Sequence, residues 1–99
     1  METTINKVGT QTIVAISGRL DTPSSKAFEE SIQPILEDEK PDVYIDCAKL
    51  EYISSSGLRQ FLTLLKYTKN ANGTMKIEHL NSEVKEVFDM TGFSGIFNL

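Results

Sequence analysis

One cysteine and one histidine are all that this 99-residue chain offers to thiol and imidazole chemistry. Cys47 has no partner for an internal disulfide, and together with His79 it makes no ligand spacing of the kind that holds zinc. It falls in an apolar, β-branched run, Val43-Tyr44-Ile45-Asp46-Cys47, so it reads as a small buried hydrophobe and not as a redox thiol. Long apolar runs are missing as well. Nothing approaches the roughly 18 to 20 residues needed to cross a bilayer, and Met1-Glu2-Thr3-Thr4 has neither a basic nor an apolar signal region, which predicts a cytoplasmic protein without membrane insertion. The lysines are scattered in a chain of net charge −4, which argues against nucleic acid, whose phosphates need clustered cations. There is no Gly-rich phosphate loop with lysine, no dinucleotide fingerprint and no Gly-x-Ser-x-Gly elbow, since Ile53 stands where the elbow's first glycine would be. With no base and orienting acid set around a serine, the expectation is a protein that is not an enzyme and needs neither cofactor nor metal.

What is present suits one folded domain over residues 1–99, with 39% hydrophobic residues, no repeats and no low-complexity linker. Ile5 to Val8 and Gln11 to Ser17 read as strands joined at Gly9-Thr10, an antiparallel hairpin. In the second, Ile13 and Ala15 share one face and Thr12, Val14 and Ile16 the other, so the strand is expected to be covered on both sides. Thr22-Pro23 predicts a helix entrance with Thr22 as N-cap, followed by the apolar face Phe28, Ile32, Ile35 and Leu36. Pro34 inside that pattern predicts a kink or an early end. The acidic run Glu37-Asp38-Glu39 falls to a solvated helix end or loop.

A second unit follows in β-α-β order. Val43 to Cys47 predicts a buried strand, Ser56 to Asn70 a helix with core face Leu58, Phe61, Leu62 and Leu65, and Met75 to Leu80 a parallel strand after the Asn72-Gly73 stop. Asn81-Ser82 caps a last helix with Val84, Val87 and Phe88 inside and Gly92 at its end, and Ile96-Phe97 is expected to return as a short edge strand. His79 is expected at a sheet edge or surface. The sum is an α/β domain, a mixed and mostly parallel sheet of about four or five strands with about three helices packed on it.

Between the buried strand and its helix lies Ile53-Ser54-Ser55-Ser56-Gly57-Leu58-Arg59. The serines occupy a helix start, where the first N–H groups lack intrahelical partners and a serine side chain caps one of them. Gly57 leaves the first turn bare, so that another molecule would approach closely.

With Asp46 and Leu50 ahead of it, this segment resembles the STAS domain, shared by bacterial anti-sigma factor antagonists and the cytosolic tails of sulfate transporters. The antagonists carry Asp-Ser-Ser-Gly-Leu after a strand and loop, and Ser55-Ser56-Gly57-Leu58 matches that motif. Gly18-Arg19-Leu20-Asp21 resembles the family's Gly-x-Leu-Asp, and Val87-Phe88-Asp89-Met90-Thr91-Gly92-Phe93 its late helix and glycine turn. Ser54 departs from the pattern by replacing the usual Asp, which offers a kinase a second hydroxyl. The chain reaches Leu99 soon after the Gly92 turn, where several relatives add a further helix, and contacts made by such a helix are not carried over.

The resemblance implies an anti-sigma factor antagonist. Unphosphorylated, it would bind a serine-kinase anti-sigma factor and free the sigma factor; phosphorylation would release it, and a serine phosphatase would reset it. Ser55 falls at the phosphoacceptor position, with Ser54 and Ser56 as neighbours able to substitute. Asp21 and Asp46 match acidic positions near the family's site, and Ser54, Ser56, Gly57, Leu58, Arg59 and Gln60 join them as candidate partner contacts. For Asp21, capping the helix near Thr22 is an equal reading. The competing implication is a non-catalytic STAS interaction subunit on the cytoplasmic side of an ATP-driven lipid transport complex.

Overall fold

Residues Gln11–Leu20 alternate between buried and half-exposed, with Thr12, Val14 and Ile16 inside, the period of a strand with one face on a core. This is β2 of the protein, whose computed structural model describes residues 1–97. β1 (Glu2–Val8) pairs with it antiparallel, and β3 (Asp42–Ile53) and β4 (Thr74–Glu78) add in parallel to give the order β1-β2-β3-β4. The turn between β1 and β2 places Gly9 at φ +63°, a conformation open to glycine at little cost. The connections carry α1 (Thr22–Ser31) and α2 (Ser55–Asn70), and α3 (Ser82–Met90) and the short α4 (Phe93–Phe97) follow β4.

One face of the sheet carries the core. Val14, Ile45 and Ile77 lie side by side across β2, β3 and β4, and the helices meet them through a row of rings. Phe28 of α1 stands 5.6 Å from Phe61 of α2, which stands 6.1 Å from Phe88 of α3. All three are completely buried, and each contributes about 1.5–3 kcal/mol of transfer free energy. The opposite face is open. Ile13, Ala15 and Tyr44 on that side are half-exposed, so the expectation that β2 is covered on both sides is corrected: the helices share one face, and apolar residues on the other side are only partly shielded by their neighbours.

β3 runs on to Ile53 where the sequence predicts a connection from Ala48 to Tyr52. Two bulges explain the difference. Ala15 pairs with Asp46 but Ser17 with Lys49, and Gly18 pairs with Leu50 but Arg19 with Tyr52, so β3 carries an extra residue at each step. Each extra residue resets the alternation, and Cys47, Leu50 and Ile53 are buried at intervals of three. The last strand ends at Glu78 and not at Leu80, because His79 adopts φ +66° and leaves the extended region.

Pro34 ends α1 early, as its missing donor requires: the helix stops at Ser31 and a 3-10 turn covers Ile35–Glu37. Phe28, Ile32 and Ile35 are buried as expected. α2 closes with Asn72 at φ +57°, the Gly73 amide donating to the Thr68 carbonyl at 2.8 Å, a Schellman stop. Ile96 and Phe97 belong to α4 instead of an edge strand. The Phe97 ring packs edge-on to Phe88 at 5.8 Å, an apolar contact that a strand pairing on the outer edge of β4 would forgo.

Candidate functional site: two helix heads at the ends of β2 and β3

The parallel pairing of β2 and β3 fixes the site. Arg19 pairs with Tyr52 and Leu20 with Ile53, so the strands end side by side. The Leu20 carbonyl then accepts the Ser54 amide at 2.8 Å, holding the exit of β3 against the exit of β2. Each exit starts a helix, and two sets of free N–H groups meet at the carboxyl edge of the sheet, where open α/β sheets form their binding crevices.

At the head of α1 the N-cap is Asp21, not Thr22. Its carboxylate accepts from the Ser24 hydroxyl at 2.8 Å and the Ser24 amide at 3.2 Å, while Ser24 Oγ accepts the Asp21 amide at 3.0 Å. Ser24 takes the place of the acid in a reciprocal box, and it stands three residues after Asp21, the spacing the box requires, and only two after Thr22. The Ser24 hydroxyl, then its amide, hold the Asp21 carboxyl below the usual carboxylate range. Of the two readings for Asp21, capping is realised. Thr22 moves into the first turn and turns its hydroxyl to Ser56 Oγ at 3.3 Å.

The head of α2 divides its three serines. Ser54 is the N-cap and accepts the Gly57 amide at 3.2 Å. Ser56 faces α1 through Thr22. Ser55, the first residue of the helix, is exposed, and its hydroxyl has no hydrogen-bond partner among the described residues. Gln60 repeats the inward direction of Ser56 one turn on, its amide meeting Glu29 at 3.4 Å, whereas Arg59 is exposed.

Three candidate contacts fall elsewhere. Gly57 and Leu58 are buried; a Cβ on Gly57 would lie 2.8 Å from Leu20 Cγ and 2.9 Å from Ile53 Cγ1. The missing side chain makes room for the protein's own core and not for an outside molecule. Asp46 lies on the open face of β3, roughly 20 Å along the strand from its end at the α2 head. There it accepts the Ala48 amide at 3.0 Å and contacts His79 Nδ1 at 3.0 Å. Those two contacts, the amide first, lower its pKa. His79 is exposed beyond the end of β4, in keeping with its expected surface position. Burial pushes the Cys47 thiol up to about 12, which keeps it protonated and unreactive.

Arg19 and Ser24 belong to the site without having been named as site residues from the sequence, and Thr22, expected only as a cap, joins it through Ser56. Arg19 stacks its guanidinium 4.3 Å above the Tyr52 ring. The available signal was register: strands parallel through Leu20 and Ile53 bring whatever follows them together. Among the described residues no three His, Cys, Asp or Glu side chains gather as a metal cluster, and no helix is long and apolar enough to cross a membrane.

The STAS domain family matches residues 2–99. The chain is 30% identical to the anti-sigma-B factor antagonist of Bacillus subtilis over 86 residues, 87% of this chain and 78% of the relative. Its fold is similar to an anti-sigma factor antagonist from Mycobacterium paratuberculosis, with TM-score 0.86 at 21% identity over 97% of this chain and 81% of the other. It is also similar to the Bacillus cell fate determinant SpoIIAA. The unphosphorylated form of that anti-sigma factor antagonist aligns with TM-score 0.82 at 17% identity over 95% of this chain and 84% of the other. The phosphorylated form aligns with TM-score 0.76 at 15% identity, covering 97% and 87%. A four-stranded mixed sheet with its helices on one face, two helix heads at its carboxyl edge and a serine-rich second head are therefore the features of a chain that belongs to the STAS domain family, whose similar members here are bacterial anti-sigma factor antagonists.

Proposed function

We propose that this protein is an anti-sigma factor antagonist switched by phosphorylation of Ser55. The observation that carries the reading is the division of labour among three adjacent serines: Ser54 is held as a cap, Ser56 faces Thr22, and Ser55 is exposed on the first turn of α2. A kinase needs a free hydroxyl on an accessible backbone, and Ser55 meets both requirements. A phosphate there adds about 1.5 to 2 negative charges at a helix N-terminus, where free N–H groups and the helix dipole favour an anion. The fold is expected to survive the modification, and the change falls on whatever docks against the α2 head.

In this reading the unmodified surface binds a serine-kinase anti-sigma factor and frees its sigma factor. A dianion in place of a hydroxyl costs that interface roughly a few kcal/mol, enough to lower affinity by orders of magnitude. A phosphatase restores the binding form. Ser56, Arg59 and Gln60 flank the switch as candidate contacts, and Asp21 contributes by shaping the α1 head beside it.

The test compares wild type, Ser55→Ala and Ser55→Asp as baits in native cytoplasm and solubilised membrane. Recovery of a kinase by the first two and not by Ser55→Asp is the expected result. Recovery of transporter subunits by all three would overturn the reading in favour of a transport-complex subunit.

A further inference from the structure

We propose that Arg59 is the intramolecular receptor for the phosphate on Ser55, closing over it along the outer face of α2. The inference deepens the switch reading and takes from it only the presence of a phosphate at position 55. Ser55 and Arg59 lie four positions apart in one helix, the spacing at which side chains stack on the same face about one turn apart. Helical Cα–Cβ bonds tilt toward the N-terminus, so the Arg59 side chain extends back over the turn that holds Ser55. An acid N-terminal to its cation at this spacing is also the favoured order.

The surroundings leave this pair to itself. Both residues are exposed, and Arg59 has no carboxylate partner among the described residues. Ser56 and Gln60, the next stripe round the helix, are turned to Thr22 and Glu29 of α1. Of the other charges near the two heads, Asp21 is engaged by Ser24, Glu29 by Gln60, and Arg19 lies over Tyr52. α2 itself contains Arg59, Lys66 and Lys69 and no acidic residue, in a chain of net charge −4. A phosphate on Ser55 therefore meets a fork of guanidinium donors with no internal competitor, and phosphate is a ligand that guanidinium grips in bidentate fashion. Phosphorylation then changes the α2 surface twice, adding a dianion and withdrawing the Arg59 cation from the face presented to a partner.

The test incorporates phosphoserine at position 55 during translation, so that no kinase is needed, and follows the second ionisation of the phosphate by phosphorus NMR around its ordinary value of about 6. Arg59→Ala is expected to raise that pKa by about 0.2 to 0.4 unit, the size of an exposed one-turn ion pair. Arg59→Lys should keep most of the depression, and Arg19→Ala all of it. Salt at about 0.5 M should shrink the difference. Coincident titrations of the parent and Arg59→Ala, with circular dichroism showing α2 intact, would overturn the proposal, as would a shift produced by Arg19→Ala instead. Because the phosphate is encoded, absence of kinase labelling at Ser55 would count against the switch alone, and coincident titrations would count against the Arg59 receptor alone.

Discussion

The heads of α1 and α2 stand side by side at the ends of neighbouring parallel strands, yet they are finished differently. α1 is capped by a carboxylate, with Asp21 and Ser24 exchanging hydrogen bonds on both sides. α2 is capped by the neutral hydroxyl of Ser54, leaving another hydroxyl, Ser55, exposed beside it. The first head already holds the negative charge that a helix N-terminus favours; the second does not. A phosphate fits where that charge is still missing. The contrast explains why, of two similar ends, the second is the one suited to a charge-based switch.

The comparison breaks most completely if the packing common to both heads is removed. Phe61 links Phe28 of α1 to Phe88 of α3, and Phe61→Ala is expected to cost about 3–5 kcal/mol in urea unfolding, disabling both heads together. Gly57→Ala should act on the α2 head alone. Its new Cβ meets Leu20 and Ile53, and overpacking of about 1–3 kcal/mol exceeds the roughly 1 kcal/mol gained from helix propensity, leaving a loss of up to about 2 kcal/mol. Ser54→Ala removes the neutral cap, with an expected loss of about 1 kcal/mol.

Acid separates the two caps. The Asp21 pKa is lowered by folding, so its contribution is complete above the unfolded carboxylate value of about 4 and disappears as pH falls through the lower folded value. Asp21→Asn still caps but does not titrate. The variant's stability, followed by thermal melting, should be less steep in acid than wild type, while Ser54→Ala should keep the wild-type slope. Asp46 adds a parallel contribution of the same sign from the open face, and is unchanged in both variants. The smallest effect is expected from Thr22→Val, which breaks the hydroxyl contact to Ser56 and should shift unfolding by no more than about 0.5 kcal/mol.

The features legible in the sequence were those set by local pattern. The period of Phe28, Ile32 and Ile35, the stop at Asn72 and the caps at the serine triplet and Asn81 all appear in the fold. Bulges in β3 could not be read, because pairing decides where an extra residue is accommodated, and each one shifts the face of everything after it. Asp46 lies ahead of both bulges, and it is parted from the serines because β3 runs on to Ile53, leaving it on the open face with His79. Gly57 was misread for a related reason: its close neighbours are Leu20 and Ile53, brought together by strand register. Thr22 and Asp21 both suit an N-cap, and the choice depended on the reciprocal bonds with Ser24.

Mapping the phosphate by tandem mass spectrometry after incubation with the partner kinase and ATP tests the division of the three serines most directly. The phosphate is expected on Ser55, with Ser55→Ala unlabelled and Ser54→Ala and Ser56→Ala still labelled. Equal labelling of Ser55→Ala, or a phosphate carried by Ser54 or Ser56 in the wild type, would contradict the account.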